Sequence, residues 1–164
     1  MLAILFLIIF TIITRIIPHP PNFTPLIAVA LFSGVYFKKR FSFLIPLSIY
    51  VISDLILGVS DVSLFCWITI VFIYSLGTLL GKRYSFLNSL LFSFLSSILF
   101  FLITNFGVWL MGWYPQNWQG LIQCYIAALP FFRNTLISAI LYTAVLFGGY
   151  EFLLKFKTQP EPSK

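Results

Sequence analysis

The side chains of this sequence that are best suited to bind a small polar molecule fall in three short segments. Arg15 opens 15-RIIPHPPNFTP-25, Asp54 lies within 53-SDLILGVSD-61, and Arg133 lies near the end of the segment 105–134. Arginine binds carboxylate and phosphate groups through a planar fork of N–H donors. The pattern therefore predicts a site for a small polar or anionic solute. The predicted site residues are Arg15, Asn22, Asp54, Asn105, Tyr114, Arg133 and Asn134, with Trp109 and Trp113 closing the site.

These residues also have structural interpretations, and the sequence leaves both kinds open. Arg15 or Arg133 could pair with Asp54 and hold helices together, or could reach towards lipid headgroups. The tryptophans could form the aromatic belt that is common at a membrane surface. His19, the only histidine, has no evident partner for acid–base catalysis and is interpreted as a loop residue that could also donate to a ligand.

The composition indicates that lipid surrounds most of the chain. The 164 residues are 60% hydrophobic and 9% charged, whereas soluble domains are about one quarter charged. A single soluble core of this size does not hide so much apolar surface. The net charge of +6 is carried by short clusters between apolar runs, which does not predict nucleic-acid binding. Cys66 and Cys124 lack metal-ligand spacing, and no metal or cofactor is expected.

Six apolar runs predict an all-α membrane protein with six transmembrane helices, at about 1–17, 24–37, 42–58, 62–80, 86–108 and 131–154. One crossing takes about 20 residues. The basic clusters fall on one side if both termini lie there, and the positive-inside rule makes that side the cytoplasm. The polar segments then lie on the external face. The predicted organisation is one domain over 1–157 with a disordered cytoplasmic tail over 158–164.

The segment before the last span is predicted to contain a helix of its own. Its apolar stretch 119–129 is too short for a crossing, and Pro130 follows it. This pattern is typical of an interfacial or re-entrant helix that is separate from the span.

Small residues on the second span predict a close helix contact, either within the chain or with a partner subunit. The fourth span carries a GxxxG pair, Gly77 and Gly81, that favours the same kind of contact. The small residues of the second span are Ala28, Ala30 and Gly34.

Enzyme chemistry is not predicted. The sequence contains no P-loop, HExxH or GxSxG motif and no acidic metal cluster. An intramembrane enzyme would need Asp54 or His19 as its base, and no nucleophile is evident beside either. Two classes of function remain, a membrane component that binds a solute and a non-transporting interaction or assembly subunit.

A family resemblance extends over nearly the whole chain. It is carried by 15-RIIPHPPNFTPLIAVALFSG-34, 53-SDLILG-58, 105-NFGVW-109 and 120-GLIQCYIAALPFFRN-134. These strings resemble an uncharacterised bacterial integral-membrane family. The size, the six spans and the SDxxxG end of the third span are more distantly similar to the S components of energy-coupling-factor (ECF) vitamin transporters.

The ECF resemblance implies a function and a set of partners. S components bind a vitamin-like or other small solute near the outer face of the bacterial inner membrane. They associate with a transmembrane coupling subunit and ATPases, and lipids surround them. The resemblance implies that the docking face of this chain is Ala28, Ala30 and Gly34.

Overall fold

The computed structural model describes residues 2–37 and 41–157, and their side chains from 7 to 37 and from 41 to 155. The six α-helices are α1 (Leu2–Ile16), α2 (Leu26–Tyr36), α3 (Leu44–Leu57), α4 (Ser63–Leu80), α5 (Phe86–Leu110) and α6 (Trp118–Lys157). A short 3-10 helix, Gly81–Arg83, follows α4. Over these ranges the chain contains no β-strand, so the all-α class is confirmed. The predicted tail 158–164 and the basic cluster 38–40 lie outside the described residues.

Three of the helices are long and apolar enough to cross a membrane. They are α4 with its 3-10 extension, α5, and α6 up to Lys155. The first three helices have 15, 11 and 14 residues, so α2 is only about 16 Å long at 1.5 Å per residue. That length is about half of a ~30 Å hydrocarbon core. The membrane-protein character is therefore supported, whereas six full crossings remain a prediction.

The short helix α2 lies at the centre of the bundle. Every residue from Leu26 to Val35 is buried, which fits a helix that is apolar on all sides. Its small residues face neighbouring helices: Ala28 and Ala30 have no exposed surface, and Gly34 packs against the backbone of Gly77 in α4. The predicted close contact is thus made within the chain, and these side chains are not available to a partner subunit.

Helices α5 and α6 form a long antiparallel hairpin. Tyr125 Oη donates to the carbonyl of Leu102 at 2.7 Å near one end, and Thr143 Oγ1 donates to Ser93 Oγ at 3.0 Å further along. Such cross-helix hydrogen bonds hold the hairpin together along both halves of α6.

The prediction of a separate interfacial or re-entrant helix before the last span is wrong. The helix α6 is continuous from Trp118 to Lys157, with Pro130 inside it, and is about 60 Å long. A proline in a helix interior costs about 3 kcal/mol relative to alanine. Contacts with α5 on both sides of the proline offset this cost, including the bond from Cys124 Sγ to the Asn105 carbonyl at 3.3 Å and the packing of Phe132 on Phe101.

Within the described ranges, the basic residues of the helix connections are Lys82 and Arg83, in the α4–α5 connection at one end of the bundle. At that end the ring of Tyr36, at the end of α2, contacts the rings of Tyr84, after the 3-10 helix, and Tyr150 of α6. Lys82 and Arg83 precede Tyr84 directly. The connections α1–α2, α3–α4 and α5–α6 lie towards the other end. The grouping of the basic clusters on one side, and the assignment of that side to the cytoplasm, stay predictions.

Candidate functional site: a polar cavity at the start of α2

Arg15, in the last turn of α1, is partly buried and bonded to α3. Its Nη2 donates to Asp54 Oδ1 at 2.9 Å, and its Nη1 donates to the hydroxyl of Ser53. The guanidinium carbon lies 4.1 Å from the centroid of the Tyr50 ring. The two charged side chains are only 12% and 8% exposed. A charge removed from water in this way requires a partner, and Asp54 provides it.

The second oxygen of Asp54 is also occupied. Asp54 Oδ2 accepts a hydrogen bond from Trp67 Nε1 of α4 at 2.8 Å. The three side chains therefore tie together the last turn of α1, the end of α3 and the first turns of α4. Because both carboxylate oxygens are engaged, the pair contributes little net charge and Asp54 is poorly placed to act as a base.

The connection between α1 and α2 is a rigid turn. Phe23 N donates to the Pro20 carbonyl at 3.0 Å, and Asn22 has a positive φ of 62°. Proline before a residue with positive φ is the arrangement of a type II turn, and asparagine tolerates that conformation. Two side chains of α6 anchor the turn: Asn134 Nδ2 donates to the Pro21 carbonyl at 3.0 Å, and Ser138 Oγ donates to the Asn22 carbonyl at 3.4 Å.

The start of α2 is uncapped. Pro25 occupies the N-cap position and no side chain accepts a hydrogen bond there. The first N–H groups of a helix have no partner within the helix, and they carry the positive end of its dipole, equivalent to about half a charge. Leu26 and Ile27, which carry such groups, line a cavity. A negatively charged group in that cavity would be stabilised.

This first cavity has a volume of about 130 Å³ and polar groups on several sides. His19 Nδ1 lies 2.7 Å from the Ile17 carbonyl, so Nδ1 carries the proton and Nε2 is left for another partner. From α6, Thr135 and Ser138 reach the cavity from positions one turn apart. The lining residues are Arg15, His19, Asn22, Thr24, Leu26, Ile27, Tyr50, Leu57, Phe100, Thr135 and Ser138.

A second cavity, of about 240 Å³, lies between α5 and the first turns of α6. It is mainly apolar. The amide of Asn105 in its wall donates to the Phe101 carbonyl at 2.7 Å, which fixes that side chain. The lining residues are Asn105, Val108, Trp113, Tyr114, Cys124, Ala127, Ala128 and Phe131.

The structure therefore divides the nine residues of the predicted site. Arg15 and Asn22 line the first cavity, and Asp54 contacts it through Arg15. Three others, Asn105, Trp113 and Tyr114, line the second cavity.

The remaining three predicted residues line neither cavity. Trp109 Nε1 donates to the Pro115 carbonyl at 3.0 Å and shapes the α5–α6 loop. Asn134 anchors the α1–α2 turn, and Arg133 is exposed on α6.

The first cavity is also lined by polar residues that the predicted site does not include, among them His19, Thr135 and Ser138. A signal for two of them was present: Thr135 and Ser138 lie three positions apart, which places them on one helix face. The sequence does not show which helix that face meets. His19 is a loop residue, as predicted, and it also lines the cavity.

The chain belongs to a family of unknown function (DUF6580), whose model matches residues 1–161. The prediction of an uncharacterised family is thus confirmed. No curated protein and no solved structure matches the chain.

Proposed function

We propose that this protein is the solute-binding membrane component of an uptake transporter and captures a small anion in the first cavity. The observation that carries the proposal is the meeting of the uncapped start of α2 with the Arg15 guanidinium in one polar cavity. The helix start favours a negative charge, and the guanidinium supplies N–H donors that its partners in α3 do not use.

Arg15 retains donors for a ligand although it is paired. A guanidinium has five N–H groups, and three hydrogen bonds from it lead to Tyr50, Ser53 and Asp54. Two donors thus have no partner among the described residues. The bonds to Asp54 and Ser53 hold the guanidinium in place, so a ligand would meet an oriented fork and would not have to order a flexible side chain.

The volume of the cavity supports a particular size of solute. Pockets for drug-sized ligands have about 300–1,000 Å³, and a water molecule occupies about 30 Å³. A cavity of about 130 Å³ fits a carboxylate or phosphate ion with few further atoms. We therefore favour a small anionic metabolite over a vitamin-sized molecule.

The remaining elements of the proposal come from the ECF resemblance and from charge placement. The site would face the outside of the bacterial inner membrane. Transport would require a transmembrane coupling subunit and ATPases, because this sequence has no nucleotide-binding motif. No catalytic step is part of the proposal.

The test begins with native mass spectrometry of the detergent-purified chain and identification of molecules released on unfolding. Titrations with inorganic phosphate and with succinate then follow as probes. Arg15→Lys keeps the charge but loses the fork, and we expect affinity to fall about tenfold or more. Leu57→Trp places a large ring at the cavity from an exposed position (52% exposed) and should block binding without unfolding the chain.

Arg133→Gln is the matched control, because it removes an exposed arginine that lines neither cavity. Binding should persist in this variant. Equal losses in Arg133→Gln and Arg15→Lys would favour the wider site predicted from the sequence. Absence of any anion binding, with wild-type folding, would overturn the proposal.

A second candidate is a non-transporting interaction or assembly subunit. The hydrogen bonds from Arg15 and Trp67 to the two oxygens of Asp54 favour it, because these contacts join α1, α3 and α4 without any ligand. Stoichiometric co-purification with one membrane complex, together with no anion binding, would select this alternative.

A further inference from the structure

A third cavity lies at the opposite end of the bundle and is independent of the proposed solute site. It has a volume of about 300 Å³ and is formed where α4 passes through the 3-10 helix into α5. Its lining residues are Leu79, Leu80, Lys82, Arg83, Asn88 and Phe92.

The polar part of this cavity is positively charged and has no acid of its own. Lys82 and Arg83 are exposed, and neither forms an ion pair with another residue of the described ranges. The carboxylate of Glu151, at the same end, instead accepts a hydrogen bond from Tyr84. The two cations are therefore available to a phosphate group.

The connection that carries these cations has a defined geometry. Asn88 Nδ2 donates to the Arg83 carbonyl at 3.0 Å, and Asn88 N donates to Ser85 Oγ at 3.1 Å. Ser85 thereby caps α5, whose positive dipole end lies at the same place. Because these bonds fix the backbone of the turn, Lys82, Arg83 and the start of α5 lie beside the same cavity.

The apolar part of the cavity continues into a surface that is suited to lipid. Leu79 of α4 is 51% exposed, and Leu87 and Leu91 of α5 are 75% and 51% exposed. Both helices are long and apolar enough to cross a membrane. The cavity thus lies where an apolar helix surface meets a basic connection, which is the boundary between acyl chains and headgroups.

We propose that this cavity binds an anionic phospholipid, with its phosphate at Lys82 and Arg83 and an acyl chain against Leu79 and Phe92. Charge complementarity selects an anionic headgroup, and the apolar wall selects a molecule with a chain. A free phosphate ion shares only the first interaction, so it should bind much more weakly than the lipid.

The experiment is a native mass spectrometry titration of the full chain in detergent micelles. The probes are phosphatidylglycerol, phosphatidylcholine with the same acyl chains, and inorganic phosphate. The Lys82→Gln/Arg83→Gln double variant should bind phosphatidylglycerol about 30-fold more weakly, because each surface cation near an anionic lipid contributes about fivefold. Lys155→Gln, which removes a cation at the same end but outside this cavity, should change affinity by less than about threefold.

A second variant tests the apolar wall with both charges intact. Leu79→Trp fills the cavity from an exposed position and should also weaken binding of phosphatidylglycerol. Thermal unfolding of each variant in detergent shows whether the fold is kept. Equal binding of the two lipids, or unchanged binding in both variants, would overturn the proposal. Displacement of the lipid by phosphate at equal concentration would reduce the site to a phosphate site and contradict the role of the acyl chain.

Discussion

Gly34 of α2 and Gly77 of α4 pack backbone against backbone. A Cβ atom added to Gly34 would lie 2.3 Å from the Tyr74 carbonyl oxygen and 2.8 Å from Gly77 Cα. A Cβ added to Gly77 would lie 2.4 Å from the Leu31 carbonyl oxygen. These atoms belong to the main chain and cannot rotate away, so the two helices approach this closely only because both positions are glycine.

Gly34→Ala is therefore expected to destabilise the fold by about 1–3 kcal/mol, the usual cost of overpacking. The measurement is thermal unfolding in detergent, followed by circular dichroism. Gly149→Ala is the control, because its new Cβ meets nothing within 4 Å, and alanine is favoured over glycine in a helix by up to about 1 kcal/mol. A Gly34→Ala variant as stable as wild type would mean that α2 and α4 do not pack as described.

Pro130→Ala is expected to stabilise the protein. Alanine restores an N–H donor in the interior of α6 and removes a helix cost of up to about 3 kcal/mol. Pro115→Ala, in the α5–α6 loop, should instead lower stability by about 0.4–1 kcal/mol, because the unfolded chain becomes more flexible. Comparing the two midpoints of thermal unfolding tests the continuity of α6. A loss of stability in Pro130→Ala would restore the interpretation of two separate helices.

Asp54→Asn should be among the most destabilising polar substitutions. It leaves the partly buried Arg15 cation without its counter-charge, at a cost of up to about 3–5 kcal/mol. The double variant Arg15→Met/Asp54→Leu removes both charges and should be closer to wild type than Asp54→Asn alone. A double-mutant cycle of Arg15→Met, Asp54→Leu and their double variant in detergent measures the coupling, and additive losses would contradict a direct pair.

Tyr84→Phe should lower stability by roughly 1 kcal/mol at neutral pH, because Glu151 loses a donor. Burial, and then the hydrogen bond with Glu151, raise the pKa of Tyr84 above its usual value of 10.0. The folded state thus binds the phenol proton more tightly than the unfolded state. This contribution to stability is complete below about pH 10 and decreases as the pH rises further.

The corresponding measurement compares unfolding at about pH 8 and about pH 10.5. The wild type should lose more stability between these pH values than Tyr84→Phe, which has no proton to release at this position. Identical losses would show that Tyr84 has no part in the alkaline dependence.

The local features of the fold followed closely from the sequence. Apolar runs predicted helices at about the positions where the structure has them. This prediction depends on neighbouring residues, since hydrophobic patterns act within a few positions. The re-entrant helix was predicted by the same local reasoning and failed, because the contacts of α6 with α5 outweigh the local effect of Pro130.

The composition of the candidate site was predicted only in part, because it depends on which helix faces meet. Arg15 and Asn22 have the chemistry of a binding site, and the sequence identified them from that chemistry. His19, Thr135 and Ser138 join them only because the α1–α2 turn is anchored to α6 by Asn134 and Ser138. Arg133 and Asn134 are neighbours in sequence, yet a helix turns by about 100° per residue, so only one of them reaches the turn.

The sequence by itself determined that this chain is an all-helical membrane-type protein with its polar chemistry in a few connections, because composition and periodicity act locally. The tertiary structure decided that α2 is a short, buried central helix, that Arg15 is neutralised by Asp54, and that its remaining donors share a cavity with the start of α2. These outcomes depend on distances between residues far apart in the chain, which hydrophobic patterns do not encode because lipid and protein neighbours are equally apolar.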